Sequence, residues 1–207
     1  PDPAICGPVC LAFCQDVQAE AHDYPEGFFA SRVWRIRRPE PDPREVTDVV
    51  AAIRAAKRPM IVAGGGVLYS GAEEVLGRFA AMHNIPFAET QAGKGALSFE
   101  HPLNFGSPGV TGSACANDLA AKADLIIGVG TRFQDFTTGS WTVFAAPDRR
   151  LISINLAGYD ATKHGALPVV GDAKVVLEKV TEALGSTRFD WHDPKARTAW
   201  QDTVRQV

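Results

Sequence analysis

Three consecutive glycines, placed between a predicted strand and a predicted helix, are the first residues whose spacing could do chemistry. Gly64, Gly65 and Gly66 follow the apolar run Met60–Ala63. Glycine lets a backbone approach a phosphate closely, and a helix N-terminus supplies partial positive charge. The Gly-x-Gly-x-x-Gly pattern of dinucleotide sites is incomplete, since Tyr69 stands where the third glycine belongs. The glycines therefore predict either a nucleotide contact or a purely structural tight turn.

Two charged residues near the next predicted strand are further candidates. Glu89 ends the run Ile85–Glu89, about where an acid that binds a ribose hydroxyl would stand. Lys94 lies between two glycines, but a phosphate loop needs Ser or Thr directly after its lysine, and here Gly95 follows. We therefore expect Lys94 to be a solvated amine or an amine at the edge of a groove.

Residues 130–141 carry the densest set of binding groups. Arg132 can hold a phosphate or a carboxylate through two parallel hydrogen bonds. Three rings in the same stretch can stack on a flat ligand; they are Phe133, Phe136 and Trp141. The alternative is a loop packed by its own aromatic side chains, with Arg132 paired to Asp135. Both interpretations stay open at the level of sequence.

Composition and charge exclude several classes of function. The chain has 207 residues, 45% of them hydrophobic, and its 21 Lys+Arg against 24 Asp+Glu give a net charge of −3. This balance offers no electrostatic footprint for nucleic acid or for an anionic membrane. No apolar run approaches the roughly 18–20 residues that cross a bilayer. We expect a cytoplasmic globular protein without nucleic-acid or membrane partners.

The cysteines and histidines do not predict a metal or hydrolytic site. Cys6, Cys10 and Cys14 are four residues apart, which on a strand separates successive thiols by about 13 Å. Pro8 argues against a helix that would bring them together. We expect a buried strand over 8–14, with apolar buried thiols in a reducing compartment. The five histidines are scattered, and the sequence contains neither His-Glu-x-x-His nor Gly-x-Ser-x-Gly.

The secondary-structure elements that must position these candidate binding residues alternate along the chain between strand and helix patterns. Short apolar runs separated by helical periodicity predict an α/β fold, with a parallel sheet covered by helices on both faces. The predicted strands are Met60–Ala63, Ile85–Glu89, Asp124–Gly130, Arg150–Asn155 and Leu167–Val170. The predicted helices start at Pro43, at Ser70 as a cap, at Ser113 and after Gly171-Asp172. Glycine-rich turns follow three of the strands, and ligands bind beyond the carboxyl ends of such strands, so we expect a groove there.

The chain divides into four predicted segments. Residues 1–20 contain the apolar strand, 21–44 form a proline-bearing linker, 45–185 form the α/β domain, and 186–207 form a polar tail or linker with Trp191 and Trp200. The first residue is proline and the first methionine is Met60. We therefore expect a fragment of a larger protein.

Many of these motifs match one family in order. The motifs are the glycines at 64–66, Asn84-Ile85-Pro86, Gly93-Lys94-Gly95-Ala96, His101-Pro102-Leu103, Gly109-Val110-Thr111-Gly112, Gly130-Thr131-Arg132-Phe133 and Gly171-Asp172-Ala173. They resemble the central domain of the acetohydroxyacid synthase superfamily of thiamine diphosphate enzymes. Residues 7–17 resemble the last strand of the preceding pyrimidine-binding domain. Residues 90–95 and 135–141 are most similar to the trihydroxycyclohexanedione hydrolases of inositol catabolism.

The resemblance implies a Rossmann-like domain that supports chemistry performed elsewhere. In this superfamily the first domain supplies a catalytic glutamate, and the third holds the diphosphate through a metal, with Gly-Asp-Gly and a downstream Asn-Asn. Here Gly171-Asp172 is followed by Ala173. We therefore expect thiamine diphosphate and Mg²⁺ in the parent and not in this chain, to which we assign no catalytic or metal-binding residue. The parent would cleave a C–C bond of a cyclic diketone by hydrolysis.

The resemblance also implies a groove that holds FAD or ADP in some members and is empty in others. The residues expected to bind such a cofactor are Gly64, Gly65, Gly66, Lys94, Thr131 and Arg132. The FAD binders tend to have acidic residues after the fourth strand, where this chain has Asn155. The alternatives are a free-standing domain that binds FAD, ADP or NAD, and a parent of the acetolactate synthase or decarboxylase type. We expect the parent's other domains as partners, and a homo-oligomer, because an orphan strand at 8–14 seeks a neighbour.

Overall fold

Five apolar segments pair into one parallel sheet, as their alternation with helical patterns predicts. The strands are β1 (Pro59–Ala63), β2 (Phe87–Glu89), β3 (Leu125–Val129), β4 (Arg150–Asn155) and β5 (Leu167–Val170), in the order β2-β1-β3-β4-β5. The chain order reverses between β1 and β3, and parallel α/β sheets open a ligand crevice at such a point. The predicted fold class is confirmed, although β2 starts two residues later than expected.

The computed structural model describes residues 2–195, 198 and 202, and the chain divides into two compact units, up to Arg37 and from Arg38 onward. The helices are α1 (Gln15–Gln18), α2 (Pro43–Ala55), α3 (Gly65–Ser70), α4 (Glu73–His83), α5 (Ala114–Lys122), α6 (Asp135–Thr138), α7 (Gly158–Thr162) and α8 (Ala173–Leu184). Short 3₁₀ turns cover Pro3–Ile5, Glu26–Phe29, Gln91–Gly93 and Lys163–Gly165. Within the described residues, no helix has the length and apolar character needed to span a membrane.

Helices cover both faces of the sheet, because alternate strand residues point to opposite sides. In β1, Ile61 and Ala63 join a core with α2, α4 and α8. Their neighbours Met60 and Val62 join a second core with α5. All five residues of β1 are buried, which explains why the strand is continuously apolar instead of alternating.

Helix caps confirm two predicted starts and correct a third. Ser113 accepts the Ala116 N–H at the start of α5, and Asp172 caps α8. Ser70 does not cap a helix: it is the last residue of α3, and its hydroxyl donates to the Gly66 carbonyl over 2.7 Å. Gly71, with φ of 63°, then ends α3, and α4 begins after Ala72. The left-handed conformation required there favours glycine.

The predicted buried strand over 8–14 is wrong. These residues form no strand, and Val9, Leu11 and Phe13 are exposed. The thiols expected to be buried are also exposed; they are Cys6, Cys10 and Cys14. A strand is stable when neighbours take up its backbone N–H and C=O groups, and every strand of the described sheet comes from the second unit. An apolar sequence pattern does not supply that partner.

The segment after α8 packs on the domain, although we expected a polar tail. Phe189 is buried, and its N–H donates to the His83 carbonyl over 3.0 Å. Trp191 packs against both cores, and its indole N–H donates to the Pro59 carbonyl over 3.0 Å. The α/β domain therefore extends beyond residue 185. Trp200 lies outside the described residues.

Candidate functional site

Backbone packing at the switch point accounts for two of the three consecutive glycines. The Gly64 N–H donates to the Val129 carbonyl over 2.8 Å, and the Gly66 N–H donates to the Gly130 carbonyl over 3.0 Å. A Cβ on Gly64 would lie 2.2 Å from the Gly130 oxygen, and one on Gly66 would lie 2.6 Å from the Gly130 Cα. No side chain fits at these separations. The loops after β1 and β3 can therefore touch only where both lack side chains.

A third glycine loop closes on the same point. A Cβ on Gly93 would lie 2.3 Å from the Ala63 carbonyl oxygen, and the Thr90 N–H donates to that oxygen over 2.9 Å. The ends of β1, β2 and β3 thus meet through their backbones. The amides of Gly64 and Gly66 are already bonded within the protein, which favours the structural interpretation of these glycines over a phosphate cradle. Gly65 and Gly66 belong to α3 and not to a free turn.

Glu89 holds the loop that follows β2. Its carboxylate accepts the Leu97 N–H over 2.9 Å, the Gly95 N–H over 3.5 Å and the Asn104 amide over 3.4 Å. The side chain is buried. The carboxylate is therefore engaged by the protein's own donors. The interpretation of Glu89 as a ribose-binding acid is not supported by this geometry.

The polar residues after β3 and β4 bond to one another. The Thr131 hydroxyl accepts the Phe133 N–H over 3.3 Å, and the Thr131 carbonyl accepts the Asn155 amide over 3.2 Å. Arg132 and Lys94 are exposed, and the described part of the chain gives neither side chain a hydrogen bond or an ion pair. The pair between Arg132 and Asp135, which one of the two open interpretations contained, does not form in the described structure.

The aromatic residues of 130–141 are divided between the core and the surface. Phe133 is buried, and its ring centroid lies 6.2 Å from that of Phe144 and 6.1 Å from that of Trp141. Phe136 is exposed. Asp135 accepts the Ser140 hydroxyl over 2.8 Å. The loop is thus packed largely by its own rings, so Phe133 is not available to stack on a ligand.

The structure adds a cleft that the sequence analysis missed. It has a volume of about 800 Å³ and lies between α5 and the segment after α8, with Phe105, Cys115, Trp191 and His192 in its walls. Burial lowers the pKa of His192 from its ordinary value of 6.5, while Asp190 and Asp193 raise it and Arg188 lowers it further. The side chain contacts Phe105 edge to face. Trp191 and His192 are the signal in the sequence, but they lie in the segment that the composition predicts to be a polar tail.

The residues of this chain do not fit a diphosphate held through a metal. Asp172 follows Gly171, but Ala173 stands where a Gly-Asp-Gly pattern needs its second glycine. Its carboxylate is buried, accepts the Lys174 and Val175 N–H groups, and pairs with Arg38 over 2.8 Å. Within the described residues, no three His, Cys, Asp or Glu side chains form a possible metal site. Asp172 serves the start of α8, and its carboxylate is not free to bind an ion.

Comparison with known proteins identifies the family. Residues 46–180 match the model of the "Thiamine pyrophosphate enzyme, central domain" family. The chain is 50% identical over its whole length to a 3D-(3,5/4)-trihydroxycyclohexane-1,2-dione hydrolase of Geobacillus thermodenitrificans and 46% identical to that of Clostridium tetani. It covers 32% and 33% of those proteins, so it spans about a third of the curated relatives that it matches.

A solved structure shares the fold. A thiamin diphosphate-dependent enzyme from Mycobacterium smegmatis, which is called putative in its description, superposes with a TM-score of 0.62 at 24% identity, over 80% of this chain and 31% of that one. The strand order, the helices on both faces and the family match agree with one another. The chain therefore belongs to the central-domain family of thiamine pyrophosphate enzymes.

Proposed function

We propose that this chain is the central domain of a thiamine diphosphate-dependent hydrolase that opens a trihydroxycyclohexanedione in inositol catabolism. The observation that carries the proposal is identity of 42–50% over the whole chain to eight relatives with that hydrolase name. In this proposal the domain holds its neighbouring domains in place and takes no part in the chemical step. Its buried acids Glu89 and Asp172 bond to loops and helix ends of the protein itself.

The reaction is proposed for a parent protein whose other domains hold thiamine diphosphate and Mg²⁺. When bound in those other domains, thiamine diphosphate would supply a thiazolium carbanion as the nucleophile for a ring-opening hydrolysis. In this division of labour, the sheet and its helices keep the flanking domains at a fixed separation. Cys6, Cys10 and Cys14 form no disulfide, and their reduced thiols support a cytoplasmic location as part of the proposal.

The test is a substrate comparison on the full-length parent. We expect turnover of the trihydroxycyclohexanedione with thiamine diphosphate and Mg²⁺, and none of pyruvate. Turnover of pyruvate alone would replace the hydrolase by an acetolactate synthase or decarboxylase parent. The isolated 207-residue chain is expected to turn over neither compound, and activity without its neighbours would contradict the positioning role.

A second candidate function is binding of FAD, ADP or NAD at the switch point. Two exposed cations without partners in the described structure support it, since Lys94 and Arg132 follow the ends of β2 and β3. In this proposal the phosphates bind these side chains, near Thr131 and the glycines at 64–66, and not the bonded amides of Gly64 and Gly66. Calorimetric titration of the chain with each nucleotide tests it. Binding that Arg132→Gln weakens and Arg78→Gln does not would support the site, and no binding of any nucleotide would remove it.

A further inference from the structure

A second cleft lies at the opposite end of the sheet from the glycine loops. It has a volume of about 790 Å³, in the range of small-molecule sites. It opens where β4 and β5 begin, and Arg150 and Leu167, the first residues of those strands, line it. The glycine loops follow the other ends of the strands. The cleft is therefore separate from the proposed nucleotide site.

Two arginines and a histidine form part of the wall of this cleft. Arg149, Arg150 and His164 line it, and no aspartate or glutamate does. Asp148 is the nearest acid in sequence, but it lines the neighbouring cleft beside α5. Within the described residues, neither guanidinium forms an ion pair, whereas Arg38, Arg78 and Arg188 elsewhere do. Like charges around one concavity repel each other and concentrate a field that attracts anions.

An indole ring, that of Trp141, contacts two of these three basic side chains. The Trp141 centroid lies 4.6 Å from that of His164 and 5.6 Å from the Arg149 guanidinium carbon. The same ring packs against the second core, with the Phe144 centroid at 6.0 Å. The indole thereby fixes the imidazole and one guanidinium at the cleft wall.

The backbone conformation of the residues that form the cleft is a second observation in favour of a functional site. Ser140, Trp141 and His164 have φ angles of 52°, 68° and 61°, a left-handed region that is unfavourable for bulky side chains. Two loops more than twenty residues apart in sequence each adopt it, and their strained residues Trp141 and His164 meet at the cleft. Strain of this kind is found where a site requires a particular side-chain position.

We propose that this cleft binds the phosphate group of a small phosphorylated molecule. One carboxylate has two oxygens, which a single guanidinium satisfies, whereas a phosphate ester presents three acceptor oxygens and close to two negative charges. Arg149, Arg150 and His164 together match the phosphate better. Pro147, Leu167 and Pro168 provide apolar wall for the organic part of the ligand. The inference is independent of the proposed function.

Calorimetric titration of the 207-residue chain with phenyl phosphate, inorganic phosphate and benzoate tests the site. We expect phenyl phosphate to bind most tightly, because it has both the charge and an apolar body, and benzoate most weakly. Tighter binding of inorganic phosphate than of phenyl phosphate would identify a free-ion site and overturn the ester assignment. Benzoate that binds as tightly as phenyl phosphate would overturn the phosphate class.

Matched double variants assign the binding to the cleft. Arg149→Gln with Arg150→Gln should weaken phenyl phosphate binding by at least about tenfold, the effect of losing charge-assisted bonds. Arg44→Gln with Arg78→Gln removes the same charge from exposed helix positions and should change affinity less than about twofold. His164→Asn keeps a residue that tolerates the left-handed backbone and should weaken binding without unfolding the chain. Equal losses in the two double variants, or no binding by the unmodified chain, would refute the site.

Discussion

At the scale of single residues, the glycines after β1 are consistent with two hypotheses, a tight structural turn and a phosphate-binding loop. Their position was predicted, but the structure gives a different reason for them. Gly64 and Gly66 are required because the backbone of Gly130 occupies the space of any side chain. A tight turn between neighbouring strands and a phosphate cradle both need glycine. Only the hydrogen-bond partners of the amides distinguish the two.

Gly64→Ala should destabilise the domain strongly, because its Cβ would meet the Gly130 carbonyl oxygen at 2.2 Å. Backbone atoms cannot move aside cheaply, so we expect a loss of about 2–3 kcal/mol in the free energy of unfolding. Gly158→Ala is the matched control, since its Cβ would lie 3.9 Å from the nearest atom, on Val170. Urea unfolding measures both variants. Comparable stability of Gly64→Ala and the unmodified chain would contradict the contact.

His192 gives the chain a pH-dependent term in stability. Burial holds the pKa of the folded state below 6.5, so between the two values the unfolded state binds more protons. This contribution to stability is complete above about pH 6.5 and is lost as the pH falls below it. His192→Gln removes the titration, and its unfolding free energy should fall less than that of the unmodified chain between about pH 7.5 and 5.5. Parallel pH profiles for the two proteins would refute this.

At the scale of elements, the segment after α8 packs against both hydrophobic cores through Trp191. Trp191→Ala should lower the free energy of unfolding by about 2–3 kcal/mol, because it removes apolar contacts and the bond to the Pro59 carbonyl. Trp191→Phe keeps most of the packing and loses the hydrogen bond, so it should cost about 1 kcal/mol. Urea unfolding of both variants checks the order. Equal stability of Trp191→Ala and the unmodified chain would show that the packing of Trp191 does not stabilise the domain.

Prediction from sequence succeeded where a local pattern determines the element. It failed where contacts with residues distant in sequence determine it. The burial of β1, β3 and β4 and the apolar face of α8 are local signals, and their bounds were predicted to within about two residues. The predicted burial of residues 8–14 is wrong, and the predicted polar tail over 186–207 includes Phe189 and Trp191, which pack on the domain. Burial in both segments depends on which surface is available. The arginine-lined cleft also escaped prediction, because Trp141 and His164 lie far apart in sequence and meet only in the folded structure.

At the scale of the whole molecule, the chain corresponds to about a third of its curated relatives. Its second unit has two complete cores. Its first unit exposes large apolar side chains, among them Val9, Leu11 and Phe13. Monomeric proteins rarely expose such runs, and unpaired extended segments pair with other chains. We therefore propose that the isolated chain self-associates through residues 8–14.

Sedimentation velocity of the 207-residue chain tests this proposal. The full chain should sediment as a dimer or larger species, and removal of residues 1–20 should shift it toward the monomer, because the deletion takes away the exposed apolar surface. Val9→Ser with Leu11→Ser and Phe13→Ser should have the same effect without shortening the chain. Gln15→Ser with Gln18→Ser and Glu20→Ser alters the same exposed region without removing apolar surface and should leave association unchanged. A full chain that is monomeric under all conditions, or an apolar triple variant that associates as strongly as the control, would place the driving surface elsewhere.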